Sequence, residues 1–403
     1  MTRTTPVSNW ATDFDVLDPH YIADPFGIWD DLRSSCPIAH TDRRGSNWLP
    51  TRYEDVTAIA HDIEHFSSLK VAVIPVGEDD VDDAGGPALE YGLPPISSDP
   101  PLHTWTRRLL LPWFSHRRVE SYVALTRDLC QKLLGGFVDD GRADAAADYA
   151  QQIPVRVIAH ILGVSSDMSD SFTGWVRDIL EFGDDPERRT RGSEQLLNYF
   201  VSQLEFRRQS PGDDLLSELL HTEVDGAPVP DSIVLGMAAL VLIAGVDTTW
   251  SAIGSSLWHL ATHPDDRERL VVEPDLLPTA LEEFLRAYAP VTMARVVTGD
   301  VEFGGCPMKE GDKVLMNFPA ANRDPEAFDH ADAVLLDRAH NRHVAFGSGI
   351  HRCAGSNLAR MELQVALEEW LAYIPKFTLE AGKEITWAGG QVRGPRVLPV
   401  VFQ

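Results

Sequence analysis

Cysteine is scarce: there are four in 403 residues. Cys36, Cys130, Cys306 and Cys353 lie far apart, with no C-x-x-C spacing. That excludes a disulfide framework and a structural zinc site of the usual pattern, and it suits a reducing compartment. Basic residues are also few. Lys and Arg total 35 against 61 Asp and Glu, a net charge of −26, which argues against nucleic acid and anionic membrane surfaces as partners. Met1 to Asp13 lacks an apolar signal core. The longest apolar run, Ile233 to Val246, is flanked by Asp231 and Asp247. It falls short of the roughly 20 residues needed to span a bilayer, so the chain is expected to be cytoplasmic, with no transmembrane segment. No Gly-rich flavin or nicotinamide fingerprint occurs, no H-E-x-x-H, and no Pro/Ser/Gly linker divides the chain.

What is present is enough apolar residue, 44%, for one large core, and a pattern dominated by helical spacing. A short helix opens at Asp24-Pro25-Phe26 and runs through Trp29 and Leu32. Trp48 to Arg52 and Val71 to Val76 read as strand or loop. Lys70 to Ser98 is irregular, broken by Gly77-Glu78-Asp79-Asp80 and Gly85-Gly86-Pro87. Helices are predicted over Arg118–Phe137, Val155–Leu162, Phe172–Phe182, Ser193–Arg208, Leu215–Leu220, Ser232–Thr262 and Pro278–Tyr288. Short strands are predicted near Val296–Phe303 and Lys313–Asn317. The chain is mainly α with small β-sheets, and it has no internal repeat.

The most informative segment is Phe346-Gly347-Ser348-Gly349-Ile350-His351-Arg352-Cys353-Ala354-Gly355. A cysteine follows a Gly-rich turn and stands at the expected start of a helix. Leu358, Met361, Leu363, Val365, Leu367, Trp370 and Leu371 give that helix its apolar positions, and Pro375 closes it. Turn N–H groups and the helix dipole both favour a thiolate. Gly347 and Gly349 permit close approach by something flat and large. A second unusual segment is Ala244-Gly245-Val246-Asp247-Thr248-Thr249, where an acid and an alcohol interrupt the long apolar helix. A mid-helix Thr ordinarily bonds the carbonyl one turn back. A buried Asp needs partners, and Gly245 allows a bend or the packing of a flat ligand.

The spacing F-x-x-G-x-x-x-C-x-G, carried by Phe346, Gly349, Cys353 and Gly355, resembles the signature of the cytochrome P450 family. The resemblance spans nearly the whole chain from Asp24-Pro25 onward. It includes Ala321-Asn322-Arg323-Asp324-Pro325, Phe328 and Val392-Arg393-Gly394-Pro395, the last given no chemical role. It implies one triangular, helix-rich haem domain over 1–403, with haem b between distal and proximal helices and no reductase domain. Cys353 is then the axial thiolate ligand to the iron. Phe346, Gly349, Gly355, Ala244 and Gly245 would lie against the cofactor. His103, Arg107, Arg295 and His351 match the family's propionate-binding positions, two buried carboxylates requiring cations. Asp247 and Thr248 match the acid–alcohol pair that delivers protons for O–O heterolysis. Glu283 and Arg286, as E-x-x-R, with Arg338, match a structural triad bracing the Cys loop. By position, Leu240, Ala244, Thr248, Val291, Thr292 and Met293 should line the substrate space, joined by Phe182 and Val71 to Ile74.

The implied activity is a monooxygenase inserting one atom of O2 into a small or medium hydrophobic molecule by hydroxylation, dealkylation or epoxidation. Electrons would come from a separate ferredoxin-type donor, steered by Arg107, Arg108, Arg117, Arg118, Arg342 and Arg352. A peroxide-driven member of the same fold is the alternative, disfavoured by the Asp247–Thr248 pair. A non-catalytic haem protein would need a regulatory module for which the chain has no room.

Overall fold

Most apolar residues recur at three- and four-residue spacing, and helices form where that spacing is regular. The computed structural model describes residues 5–69, 73, 90–182 and 185–403. Helix α1 (Pro19–Ala23) begins with proline and is capped by Asp18, which accepts the His20 N–H; α2 (Phe26–Ser35) follows. Next come α3 (Tyr53–His61) and α4 (Leu102–Leu110). The single helix expected over Arg118–Phe137 is two, α5 (His116–Glu120) and α6 (Val123–Gly135). The break falls where Ser121 Oγ bonds the Arg118 carbonyl and competes with the helical ladder.

Helix α7 (Gln152–Leu162) stops at left-handed Gly163. After α8 (Ser169–Leu180), Asp185 caps α9 (Pro186–Gln209) and Asp214 caps α10 (Leu215–His221). The long α11 (Asp231–Thr262) is 32 residues, followed by α12 (Pro264–Val272), which the sequence reading missed, and α13 (Leu277–Ala287). Helices α14 (Phe318–Ala321) and α15 (Ser356–Tyr373) complete the set. By length and apolarity α11 could cross a bilayer. Here it is the core helix instead, packed against α7, α8, α9 and α15.

Strands are short. In chain order they are β1 (Ile38–Thr41), β2 (Asn47–Pro50), β3 (Phe66–Ser67), β4 (Arg142–Asp144), β5 (Glu223–Val224), β6 (Ala227–Pro228) and β7 (Met293–Val297). They continue as β8 (Val301–Phe303), β9 (Cys306–Met308), β10 (Lys313–Met316), β11 (Phe377–Leu379), β12 (Thr386–Ala388), β13 (Gly394–Val397) and β14 (Pro399–Phe402). The main sheet has the order β1-β2-β10-β7-β3; β10 runs parallel to β2 and antiparallel to β7. The segment expected as one strand over Val296–Phe303 is split between β7 and β8. A second sheet, β11-β14-β4, ties residues 399–401 to 142–144. The paired strands β12 and β13 lie beside α11.

Two large apolar clusters flank α11. One gathers Trp250, Ile253, Leu257, Phe284, Leu367 and Trp370; the other joins α11 to α7, α8 and α9 through Ile158, Phe172, Phe200 and Leu242. This interior fixes α11 as a rigid rail past which the site residues are arranged. Within the expected irregular stretch, residues 90–98 hold only turns and bends, and Val73 is buried in the core. Val71, Ala72, Ile74 and the two Gly-rich breakers lie outside the described residues.

Candidate active site

The Cys353 loop is held by its own backbone. Gly347 N–H bonds the Val344 carbonyl at 2.9 Å, and Cys353 N–H bonds the Phe346 carbonyl at 2.8 Å. Phe346 lies under the Arg360 guanidinium, 4.4 Å from ring centre. Gly349 has φ +69°, and a Cβ there would sit 2.2 Å from the Ala60 carbonyl oxygen. The Cβ side of this glycine is therefore closely approached by the α3 backbone. Gly347 likewise faces the Phe318 ring. Cys353 stands three residues before α15 rather than in its first turn, with Gly355 at the N-cap. Cys353 is an exposed residue. Desolvation raises its thiol pKa, while the Gly355 N–H and the Arg107, Arg352 and Arg360 charges pull it down without winning. Its thiolate form thus needs a further cation, such as a metal.

The four residues expected to hold carboxylates converge beside this loop. His103 and Arg107 are one turn apart on α4. The His103 and His351 rings lie 4.3 Å apart, and Arg295 acts on both. Arg107 donates to the Arg352 carbonyl at 2.5 Å. His351 is bonded to Ser68 Oγ at 2.9 Å. His103 Nε2 is buried and has no hydrogen-bond partner among the described residues. Arg295 is 5% exposed, and its one described hydrogen bond goes to the neighbouring Ala294 carbonyl. Burial, followed by the Arg295, His103 and Arg107 charges, pushes the His351 pKa down to about 3. Burial pushes Arg295 down to about 10, with Asp99 opposing. Buried donors with few acceptors are costly unless an acceptor is supplied. The residues present therefore fit haem b, with a thiol for the iron and, for its two carboxylates, the Arg107 and Arg295 cations beside two imidazoles whose pKa values burial lowers.

On α11, Ala244 is exposed and Thr248 partly so, and both face the same open side. Thr248 Oγ1 donates to the Ala244 carbonyl at 2.8 Å. A Cβ on Gly245 would lie 2.5 Å from Ile158 of α7, so this glycine is needed for helix packing, and α11 runs through it without interruption. Asp247 turns away from the open side. Its Oδ1 accepts from Arg396 Nη2 at 2.6 Å, and its Oδ2 is buried without a partner among the described residues. Desolvation raises its pKa to about 6, against the Arg396 charge.

Arg396 and Glu362 escaped the sequence reading. Glu362 of α15 is buried, and desolvation raises its pKa well above the carboxylate range, with a hydrogen bond from Thr249 opposing. The signal for Arg396 was the preceding Arg-Gly-Pro. A Cβ on Gly394 would lie 2.3 Å from Ser251, and one on Gly254 would lie 2.8 Å from Pro395. Only this mutual glycine contact lets β13 lie close enough to α11 for Arg396 to reach Asp247.

The expected structural triad meets. Glu283 is 0% exposed and accepts from Arg286, Arg338 Nε (2.9 Å), the Leu335 N–H (2.8 Å) and Asn341 (3.1 Å). Arg286 also donates to the Asn322, Ala331 and Ala333 carbonyls. Burial would raise the Glu283 pKa, but these bonds outweigh it. The lining candidates divide. Leu240 and Thr292 are buried, whereas Val291, Met293 and Phe182 are partly exposed, with Arg188 stacked over the Phe182 ring. Of the expected docking cations, Arg118 stacks on Trp113 and Arg342 on Tyr53, while Arg108, Arg117 and Arg352 are exposed.

Residues 188–383 match the family model described as Cytochrome P450. The chain is 35% identical to mycinamicin IV hydroxylase/epoxidase of Micromonospora griseorubida, over 88% of this chain and 89% of that one. It is 32% identical to cytochrome P450 monooxygenase PikC of Streptomyces venezuelae, over 98% and 95%. Among solved structures it matches PksS of the Bacillus subtilis 168 bacillaene polyketide synthase with TM-score 0.87 and 28% identity, covering 97% of this chain and 100% of that one.

Proposed function

The chain belongs to the cytochrome P450 family, an enzyme class that carries haem b, and from that premise we propose that Cys353 is the thiolate ligand of a monooxygenase that hydroxylates or epoxidises a hydrophobic substrate. Reductive activation of O2 is the chemistry that haem b supplies when bound. The observation that carries the reading is the meeting of Cys353 with His103, Arg107, Arg295 and His351, among which the buried His103 Nε2 has no partner among the described residues. His103 Nε2 and the Arg295 guanidinium hold the carboxylates, and their buried position orients the cofactor.

Thr248 and Asp247 of α11 would handle the protons. Inserting one oxygen atom and reducing the other to water consumes two electrons and two protons. Oδ2 of Asp247, whose pKa near 6 lets it gain and lose a proton, is the atom that carries the proton, and Thr248 Oγ1 faces the open side where it is needed. Neighbouring residues on a helix do not face each other, and Asp247 is bonded to Arg396 while Thr248 is bonded to Ala244. Transfer between them therefore passes through water or a side-chain rotation. Leu240, Ala244, Val291, Thr292, Met293 and Phe182 give the substrate an apolar wall that also excludes bulk water.

A ferredoxin-type protein supplies the electrons, docking where Arg108, Arg117 and Arg352 are exposed. Asn357 bonds the Phe114 carbonyl at 3.0 Å, which brings the turn before α5 to the start of α15 and gathers these cations near the Cys353 loop. The relative named a hydroxylase/epoxidase supports the reaction type. The test is the ferrous–CO spectrum. The wild type should absorb at the position typical of thiolate ligation, and Cys353→Ala should lose that band and all turnover. Retained oxygenase activity in the variant refutes the assignment.

A further inference from the structure

Asp247 shares its cation. The Arg396 guanidinium donates through Nη2 to Asp247 Oδ1 at 2.6 Å, through Nη1 to Ser251 Oγ at 3.0 Å, and through Nε to Glu181 Oε1. It also lies over the Trp250 ring, 4.2 Å from the centroid. The side chains of Arg396, Glu181 and Asp247 are only 6%, 9% and 2% exposed. Glu181 is the residue at which α8 ends, and its second oxygen accepts from Arg177 Nε at 2.9 Å. Three elements thus meet in one chain of charges: Glu181 from the end of α8, Arg396 from β13 and Asp247 from α11 are buried, and Arg177 of α8 closes the chain at the surface.

The charged groups acting on Asp247 are Arg396, Glu181 and Arg177. The other wall here is α7, which faces this stretch with Ile158 against Gly245. Glu362 of α15 accepts from Thr249, two residues beyond Asp247 along α11. A lone Arg against Asp247 would lock it as a carboxylate, because an opposite charge within about 4–6 Å lowers a carboxyl pKa by about 1–3 units. Glu181 takes part of that guanidinium away and adds a like charge nearby.

We propose that Glu181 and Arg396 are positioning residues that set the charge of Asp247, the two carboxylates dividing one guanidinium so that the acid on α11 stays exchangeable instead of being fixed as an ion. This rests on Asp247 as the proton-handling acid but concerns only its protonation. The balance is visible in its pKa of about 6, which desolvation raises, Arg396 lowers, Glu181 raises and Arg177 lowers.

The two neighbours push in opposite directions, and that supplies the test. The carboxylic C=O stretch of Asp247, isolated by difference infrared spectroscopy of the ferric holoenzyme against Asp247→Asn, is titrated between pH 5 and 8. In Glu181→Gln both arginines are left to Asp247, and the midpoint should move to lower pH by about one unit or more. In Arg396→Gln the cation is lost while Glu181 remains, and the midpoint should move up by a similar amount. Arg396→Lys should return it toward the wild-type value. A merely structural role would move both variants the same way or neither. Shifts of one sign in both, or an unmoved midpoint in Glu181→Gln, overturn the proposal; that variant keeps its volume and suffices even if Arg396→Gln folds poorly. Opposite shifts together with unchanged product per electron in Asp247→Asn would uphold this balance and refute Asp247 as proton donor instead.

Discussion

Replacing Gly394 by alanine should loosen the site from a distance. The added Cβ would lie 2.3 Å from Ser251 Cβ, 2.4 Å from Oγ and 2.6 Å from Cα. The last contact is with backbone, so no rotamer change relieves it. Carbon–carbon contacts settle near 3.5 Å, so β13 must retreat from α11 by about 1 Å. Arg396 is two residues on and points to the same side of the strand. Its 2.6 Å bond to Asp247 would stretch to about 3.6 Å, too long for a hydrogen bond. Overpacking costs about 1–3 kcal/mol, and loss of a charge-assisted bond adds about 1 kcal/mol or more, because the partners are buried. The expected loss is about 2–4 kcal/mol in urea unfolding of the holoenzyme, together with an upward move of the Asp247 titration midpoint. Gly27→Ala in α2 is the control: no atom lies within 4 Å of the added carbon, and helix propensity favours Ala by about 1 kcal/mol. A Gly394→Ala protein as stable as wild type, with an unmoved midpoint, would falsify the close-packing account of how Arg396 is placed.

Glu283→Ala leaves Arg286 and Arg338 buried without their shared carboxylate; the loss should be about 3–5 kcal/mol in unfolding, with faster release of haem to an acceptor protein. Charge reversal at Arg117 and Arg352 together should slow reduction by an acidic ferredoxin about tenfold at low salt, and the gap should narrow as salt is added; equal rates would place the docking face elsewhere. Thr248→Ala should lower the product formed per electron consumed while leaving the Cys353-dependent spectrum intact, and unchanged coupling would point to another proton route.

Much of this was legible because the informative residues are close in sequence. The Cys353 segment, the Asp247–Thr248 interruption and the His103/Arg107 pair are local patterns, and local patterns report on one turn or one helix face. The helices announced themselves by spacing, and α11 emerged with nearly its expected limits. What stayed hidden depends on contacts between distant segments. Arg396 lies 149 residues from Asp247 and 215 from Glu181. The packing role of the glycines was hidden for the same reason: the Cβ directions of Gly245 and Gly349 are taken by Ile158 and by the α3 backbone, both remote in sequence. The split between α5 and α6 turned on one Ser hydroxyl taking a carbonyl. The offset of Cys353 from α15 is a boundary shift that periodicity does not resolve.

The position of β14 in the middle of its three-stranded sheet bears on when the molecule can assemble. Translation is sequential, so β4 waits through some 250 further residues for its partner, and Ala145 waits as long for the Leu398 carbonyl. At roughly 5–20 residues per second, that is tens of seconds in which the strand at 142–144 leaves the ribosome unpaired. Arg396 arrives with the same late segment, so Asp247 spends that interval without its guanidinium, and chaperone binding during synthesis should concentrate on this unfinished edge.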